Sequence, residues 1–438
     1  MLRQTWRPLA AAAAIGGPAY VYYQYRTKPE TFELTVRARG ADGKPEMQTR
    51  SFPLLPLKVL EARLQQNATS NTHHRPGGIV WKHTTASLAS NDPLEDANAN
   101  AIVTRDDTDP AGPGDFLFFA VMDGHGGYET SQLLSKVLIK AVASKVFALN
   151  SASTPASSAT GWLDALKSAL RLSSPKPSQA ASSSPDSDPQ RVSTAIVDAF
   201  TELDQEILNA PLRVLAGSVD EETRKKGAIP DLSKHPLGLK TMHPAISAHR
   251  NLYVAVTGDS RAVAGVWEPT DDGKGVWRVE ALTEDQTGRN PSELARIQSE
   301  HPKDEENDVI RNGRVLGGLE PSRAFGDARY KWPRAIQETA QLPDLVPTST
   351  GSAGVEGKRE TKANKTEGSW AFADENVSAH LIRNAFGGGD EPDLRLRMSI
   401  PAPWSRRHRD DVTVTVVWWE EGSEGQPQVI SEQVKAKL

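Results

Sequence analysis

The chain has 438 residues, of which 37% are hydrophobic and 24% are charged, and its formal net charge is −5. This length is sufficient for one large domain or two small ones, and the mild acidity argues against a general nucleic-acid-binding protein, which normally carries an excess of basic residues. Because the sequence contains no cysteine, disulfides and thiolate metal sites are excluded, and any metal must be bound by oxygen or imidazole ligands.

The N-terminal residues 1–28 differ in composition from the rest of the chain. They include Arg3, Arg7 and Arg26 but no acidic residue, and they enclose the apolar stretch LAAAAAIGGPAYVYY. Arginine-bearing, acid-free segments are typical of mitochondrial targeting signals, and this stretch is shorter than the roughly 20 residues of a membrane-spanning helix. We therefore predict a mitochondrial protein, in the matrix or associated with the inner membrane, with a marginal membrane anchor as the alternative. A secretory signal is a further alternative, which the lack of cysteine disfavours.

In residues 29–208 the sequence predicts helices and strands on both sides of one irregular stretch. Residues 29–76 are predicted to form an N-terminal extension with one amphipathic helix, because Leu57, Leu60 and Leu64 recur at helical spacing. A Ser-, Ala- and Pro-rich stretch at residues 150–190 is interpreted as a flexible insertion. Around it the periodicity predicts a first strand pair at 79–89, a strand at 116–122, and helices at 128–149 and 192–208.

The chain beyond residue 250 forms a second block of predicted elements. Two β-rich runs within residues 251–267 flank Gly258, Asp259 and Ser260, which predicts a hairpin with these residues at its tip. The remaining predictions are a strand at 275–282, a helix that Asn290 starts, a helix at 374–385 capped by Asp374, and a final strand at 412–419. Because strands and helices do not alternate regularly, we predict an α+β fold, with one domain at residues 77–420 and a tail at 421–438.

Acidic side chains recur at the edges of the predicted strands. The apolar run at 116–122 stops at Asp123, Gly124 and His125, where an ordinary turn needs only one or two glycine or asparagine residues. Three further positions are similarly placed: Glu95 with Asp96, Asp259, and Asp410 with Asp411 directly before the last strand. Each alone is more often a turn or cap residue, but together they form an oxygen-rich set suited to Mg²⁺ or Mn²⁺.

Five stretches in this order resemble the motifs of one enzyme family. LEDANA, FAVMDGHGG, VAVTGDSRAV, LGGLEPSRAFGD and RRHRDDVTVTVV are similar to the motifs of the metal-dependent type-2C (PPM family) protein phosphatases. The resemblance covers roughly residues 79–419. Within the family, SNDPLEDANA, RVLGGLEPSRAFGDARYKWP and DENVSAHLIRNAFGG are most similar to the pyruvate dehydrogenase phosphatases and their fungal mitochondrial relatives.

The resemblance implies a fold, a metal centre and a reaction. The fold would be two packed β-sheets flanked by helices, and the reaction would be hydrolysis of phosphoserine and phosphothreonine by a water that two divalent ions activate. Carried over by position, Asp123 would bridge both ions, and the Gly124 carbonyl and Asp410 would be further ligands. Glu95 and Asp96 would hold metal-bound waters, and Asp259 would belong to a third ion site. His125 would protonate the leaving oxygen.

The sequence departs from the family pattern at two places. Some relatives bind the phosphate with an arginine four residues before the Glu-Asp pair, and here that position is Asn91. Relatives also have an apolar strand ending in Asp-Gly-x-Trp-Asp, which supplies another direct ligand, between the SRAFGD and RDD motifs, and here this strand is missing. We predict that residues 338–369 are disordered instead. None of the nearby acidic residues is a convincing replacement ligand, namely Asp344, Asp374, Asp390, Glu391 and Asp393.

Three functional hypotheses follow. The first is an active protein serine/threonine phosphatase with one of its two metal sites impaired, a phosphoprotein substrate and the pyruvate dehydrogenase complex as a candidate. The second is a catalytically weak or inactive relative that serves as a binding module. The third is that the working protein contains a segment that this sequence lacks. No nucleic acid is expected as a partner, and membrane association would depend on the N-terminal residues.

Overall fold

The computed structural model describes residues 30–40, 44–74, 79–105, 114–149, 189–217, 251–270, 275–339, 374–387 and 390–421. The chain divides into two compact units, of which the first holds the described residues up to Asp96 and from Asp374 onward, and the second those between. The predicted targeting segment, and most of the predicted insertion and disordered segment, lie outside the described residues. Within the described ranges no helix is long and apolar enough to cross a membrane.

The first unit contains two antiparallel sheets. Strands β1 (Thr31–Arg39) and β2 (Pro45–Pro53) form a hairpin. Strand β4 (Ile79–Leu88) lies in the middle of the other sheet, between β3 (Thr69–His74) and the strand at Val412–Glu421 that ends the described chain. The predicted strand pair at 79–89 is wrong, because that stretch is a single strand whose partners come from elsewhere in the chain.

Three helices cover one face of this sheet. They are α1 (Leu57–Gln65), a helix at Val377–Ala385 and a helix at Glu391–Ser399. Leu60 and Leu64 of α1 are fully buried in one cluster with Ile382, Leu394 and Met398, which confirms the amphipathic helix predicted from the leucine spacing. The helix predicted to begin at Asp374 begins instead at Val377, because the side chain of Asn376 accepts a hydrogen bond from the backbone of Ala379 at 2.9 Å.

In the second unit, one sheet packs against a long helix, which in turn packs against a second long helix. Strands β5 (Ala97–Arg105) and β6 (Gly114–Met122) pair along their whole length. Helices α2 (Glu129–Ala148) and α3 (Pro189–Gly217) contact each other, and α2 also packs on both strands. Their shared core contains Met122, Leu134, Leu138 and Leu203. The predicted strand at 116–122 and both predicted helices are therefore confirmed, although α3 is longer than predicted.

The remaining elements of the second unit are short. They are, in chain order, β7 (Val263–Pro269), β8 (Gly275–Ala281), α4 (Pro291–Glu300), β9 (Ile310–Arg311), β10 (Arg314–Val315), α5 (Ala328–Lys331) and α6 (Arg334–Thr339). Helix α4 is capped by Asn290 as predicted. Because α6 runs to Thr339, the first two residues of the predicted disordered segment are helical.

The hairpin predicted at residues 251–267 is wrong. Residues 251–262 belong to no strand, and β7 pairs with β8, so that Val263 lies opposite Ala281. The tip residue Gly258 is instead held by Gln286, which accepts a hydrogen bond from its backbone at 2.9 Å and donates one to its carbonyl at 2.8 Å. The mixture of helices and antiparallel sheets confirms the α+β class.

Candidate active site

The loop that follows β6 carries Asp123, Gly124 and His125. Met122, the last residue of the strand, belongs to the core formed with α2 and α3, so the strand end is firmly held. Asp123 is exposed and Gly124 is buried. Gly126 and Gly127 follow with φ angles of 70° and 133°, which only glycine adopts readily. A carboxylate and an imidazole thus follow directly on a strand end that is packed into the core.

His125 lies in a negative electrostatic field. Its Nε2 is 3.0 Å from Oδ1 of Asp327, and this hydrogen bond raises the pKa of His125 above its ordinary value, while partial burial opposes the shift. The charges of Asp123 and Asp259 raise the pKa further. A raised pKa favours the protonated form of the imidazole, which is the form that donates a proton to a leaving group.

Asp327 is the residue of the candidate site that the sequence did not single out. It lies 202 positions from His125 in the chain, and it adopts a left-handed backbone conformation with φ 47°. Its second oxygen, Oδ2, is buried without a hydrogen-bond partner among the described residues. The motif LGGLEPSRAFGD ends in this aspartate, and that is the available sequence signal, but nothing local connects it to His125.

Asp259 lies in an acidic environment of the same unit. Burial raises the pKa of Asp259 above its ordinary value, and the negative charges of Glu320 and Asp285 add to the effect. Asp285 itself forms an ion pair with Arg261, whose Nε donates to Oδ1 at 2.6 Å. His125 therefore interacts electrostatically with both Asp123 and Asp259 within the second unit.

In the first unit, Asp411 organises the loop that carries the predicted Glu-Asp pair. Its Oδ1 accepts hydrogen bonds from the backbone of Ser90 and of Asn91, the latter at 2.9 Å, and its Oδ2 accepts from the backbone of Glu95 at 2.8 Å. Burial alone would raise the pKa of Asp411, but these hydrogen bonds prevail and lower it. Asp411 is therefore a buried anion that holds residues 90–95 against the start of the last strand.

Glu95 and Asp96 are both held by neighbouring side chains. Oε2 of Glu95 accepts a hydrogen bond from Nδ2 of Asn91 at 2.6 Å. Oδ2 of Asp96 accepts one from the hydroxyl of Thr413 at 2.9 Å, and Asp96 is buried. The Nδ2 of Asn91 also donates to Asp411 at 3.1 Å, so this amide is committed to the carboxylates around it.

Asp410 is exposed and forms an ion pair with Arg406 four residues earlier. The same guanidinium lies 4.0 Å from Oε2 of Glu95. A cationic group thus occupies the space beside two of the predicted site carboxylates, which is where a bound cation would also be electrostatically favoured.

The donor chemistry of the predicted ligands fits a hard divalent cation. Every one of them is a carboxylate or a backbone carbonyl, the ligand types that Mg²⁺ and Mn²⁺ prefer. Glu95, Asp96 and Asp410 belong to the first unit, and Asp123, Gly124 and Asp259 to the second. No group of three or more histidine, aspartate or glutamate side chains in the described ranges is arranged to hold a metal ion.

The acidic residues considered as replacement ligands have other roles where they are described. Asp374 is almost fully buried, and its oxygens accept hydrogen bonds from Arg383 at 2.7 and 2.8 Å and from His380 at 3.0 Å. Asp390 caps the helix at Glu391–Ser399, and Asp393 pairs with Arg397. Glu391 is exposed in the first turn of that helix, and Asp344 lies outside the described residues.

Comparison with known proteins identifies relatives over most of the chain. The family profile described as Protein phosphatase 2C matches residues 179–352. A protein phosphatase 2C homolog of Schizosaccharomyces pombe is 29% identical over 419 residues, covering 82% of this chain and 84% of that protein. The mitochondrial pyruvate dehydrogenase [acetyl-transferring]-phosphatase 1 of Saccharomyces cerevisiae is 29% identical over 464 residues, covering 85% and 74%. The human mitochondrial pyruvate dehydrogenase [acetyl-transferring]-phosphatase 2 is 24% identical over 470 residues, covering 84% of this chain and 83% of that protein.

Proposed function

The chain is related to the type-2C protein phosphatases, which are hydrolases, and we propose that it is a metal-dependent phosphatase acting on phosphoserine and phosphothreonine in proteins. The observation that carries the proposal is the environment of His125. This side chain stands beside Asp123 at the end of a rigid strand, is hydrogen-bonded to Asp327, and lies in the field of Asp259. A positioned imidazole with a raised pKa among carboxylates is suited to acid catalysis at a metal centre.

The metal ligands would be the residues that the family resemblance assigns. Asp123, the Gly124 carbonyl and Asp410 would hold two ions, Glu95 and Asp96 would hold bound waters, and Asp259 would contribute to a third ion site. When bound, the ions would supply Lewis-acid chemistry, lowering the pKa of a water and neutralising charge on the phosphate. Asp411 would support the centre by fixing the backbone that carries Glu95.

His125 would donate a proton to the serine or threonine oxygen as its bond to phosphorus breaks. An alkoxide is a poor leaving group, so this proton transfer lowers the barrier for natural substrates. Asp327 would keep the ring in one orientation through its 3.0 Å contact with Nε2.

The relatives support a proposal for the substrate and the compartment. Two of them carry names that place them in mitochondria and make pyruvate dehydrogenase their substrate. We propose that this chain acts on a phosphorylated dehydrogenase complex in mitochondria, with residues 1–28 as the targeting segment. The arginine-bearing, acid-free composition of those residues supports the location.

A phosphate-release assay on phosphoserine peptides tests the proposal. The full chain should release phosphate with Mn²⁺ and not after chelation. Asp123→Asn should reduce this activity to background without lowering the melting temperature, because Asp123 is exposed and its predicted role is in metal binding. Asp308→Asn, a change at an exposed aspartate of the same unit, is the matched control and should be fully active. Metal-independent activity, or an active Asp123→Asn variant, would contradict the proposal.

A second candidate function is a non-catalytic binding module of the same fold. It is favoured by the missing Asp-Gly-x-Trp-Asp strand together with the commitment of Asp374 to Arg383 and His380, which leaves that aspartate unable to replace the lost ligand. Inserting an apolar strand that ends in Asp-Gly-x-Trp-Asp after Thr339, the last residue of α6, separates the candidates. Activity in the insertion variant alone would show that this chain is the inactive form.

A further inference from the structure

Arg406 is held beside two of the carboxylates assigned to the metal centre. It belongs to a short 3-10 helix at Trp404–Arg407. The preceding residue, Ser405, is fully buried, and its hydroxyl donates to the carbonyl of Ser90 at 2.5 Å. In return the hydroxyl of Ser90 donates to the carbonyl of Arg409 at 2.8 Å. The backbone that carries Arg406 is therefore fastened to the loop that carries Glu95.

The side chain of Arg406 reaches the site and remains accessible. Its guanidinium pairs with Asp410 and lies 4.0 Å from Oε2 of Glu95, and 36% of the side chain is exposed. The neighbouring arginines are placed differently. Arg407 is exposed, and Arg409 donates to the carbonyl of Ala89.

Asn91 stands where some relatives carry their phosphate-binding arginine, and it provides no positive charge. Its amide donates to Glu95 at 2.6 Å and to Asp411 at 3.1 Å, so it serves to hold the loop. A cationic side chain near the same carboxylates would add to the charge that the ions neutralise on the phosphate, which carries two negative charges. A guanidinium is well suited to this task, since its planar fork of donors matches two phosphate oxygens.

We propose that Arg406 binds the phosphate group of the substrate, in place of the arginine that Asn91 has replaced. The inference rests on the proposed function, since it concerns the substrate of the same site. An exposed ion pair such as that with Asp410 is weak, so the guanidinium can exchange a carboxylate for a phosphate at little cost. Arg406 would act in binding and would take no part in proton transfer.

Binding of inorganic phosphate to the full chain, measured by calorimetry with Mn²⁺ present, tests this assignment. Arg406→Ala should weaken phosphate binding by about 10- to 100-fold, as expected for a lost hydrogen bond between charged groups. Arg407→Ala is the matched control and should bind like the wild type. Adding Asn91→Arg to Arg406→Ala should restore much of the loss, because three backbone hydrogen bonds to Asp411 still hold the loop. In the phosphate-release assay Arg406→Ala should raise KM more than it lowers kcat.

Mn²⁺ affinity, measured in the same titrations without phosphate, separates a phosphate-binding role from support of the metal site. It should be unchanged or tighter in Arg406→Ala, because a competing cation is removed from Asp410. The inference would be overturned if Arg406→Ala lost Mn²⁺ binding in parallel, or if it bound phosphate as tightly as the wild type. It would also be overturned if the wild type bound no phosphate. If the wild-type chain binds phosphate through Arg406 but releases none from peptides, the proposed function is wrong and the inference about Arg406 still holds.

Discussion

At the scale of single residues, the contact between His125 and Asp327 links two loops of the second unit. The carboxylate accepts from the ring at 3.0 Å, and its own left-handed backbone conformation is one that aspartate and asparagine tolerate better than most residues. Asp327→Asn can therefore keep the backbone geometry while it removes the negative charge. This makes the pair accessible to a conservative test of its role.

His125→Ala should slow hydrolysis of an alkyl phosphoester by about 100- to 10,000-fold, the usual contribution of a general acid. An aryl phosphate, whose leaving group hardly needs a proton, should be affected much less. Asp327→Asn should shift the two rates in the same directions but less strongly, since the ring stays in place and only its charge partner is lost. Steady-state rates on both substrates check this, and equal losses on both would argue against an acid role for His125.

At the scale of secondary-structure elements, α1 ties the early part of the chain to the core of the first unit. Leu60 and Leu64 have no exposed surface, whereas the adjacent Val59 is 41% exposed. The spacing of the leucines alone predicted which face of α1 is buried. It did not predict which elements α1 packs against.

Leu60→Ala should lower the free energy of unfolding by about 2–5 kcal/mol, because it removes buried methyl groups and leaves a cavity. Val59→Ala, the control on the exposed face of the same helix, should change it by less than about 0.5 kcal/mol. Chemical denaturation of both variants measures the difference. Equal effects would mean that α1 does not pack as described.

Helix α4 is tied to the SRAFGD segment by a buried carboxylate. Glu293 accepts hydrogen bonds from Arg323 at 2.6 Å, from Arg296 at 2.8 Å and from Ser322 at 2.7 Å. The hydrogen bond from Arg323 holds the pKa of Glu293 well below its usual range, although burial opposes it. Because the folded pKa is depressed, the stabilisation is fully present above the pKa of an unfolded glutamate, about 4.3, and is lost as the pH falls below it.

Glu293→Gln should lower the free energy of unfolding by about 1–3 kcal/mol at pH 7, because the charge-assisted hydrogen bonds are lost. The difference from the wild type should shrink as the pH falls from about 5 towards 3. Denaturation curves at several pH values measure this, with Glu300→Gln as the control, since Glu300 forms an exposed pair with Arg296 on the same helix. A difference that stays constant with pH would contradict the role assigned to Glu293.

At the scale of the whole molecule, the family relationship and the composition of residues 1–28 both bear on location. These residues fused to a fluorescent protein should bring it to mitochondria, because arginine without acidic residues favours import. A matched reporter with Arg3→Gln, Arg7→Gln and Arg26→Gln should stay in the cytosol. Microscopy with a mitochondrial marker reads out both reporters. Secretion of the first, or its retention in the cytosol, would make the predicted location wrong.

The sequence by itself determined the features that depend on local patterns. The leucine spacing in α1, the apolar strand that stops at Asp123 and the Asn290 cap of α4 were all predicted, because helix periodicity, strand propensity and capping act over a few neighbouring residues. The order of the motifs also gave the resemblance to the type-2C phosphatases, and with it the set of site carboxylates, which stays a prediction.

The tertiary structure alone decided which distant groups meet. The partner of His125 lies 202 positions away, β7 pairs with the following strand rather than with residues 251–257, and Asp374 binds Arg383 and His380 while Asn376 takes over the helix cap. Arg406 reaches Glu95, over 300 positions earlier, through a helix fastened by Ser405. Strand pairing and side-chain contacts of this kind depend on how the whole core packs, and several partners fit each local pattern equally well.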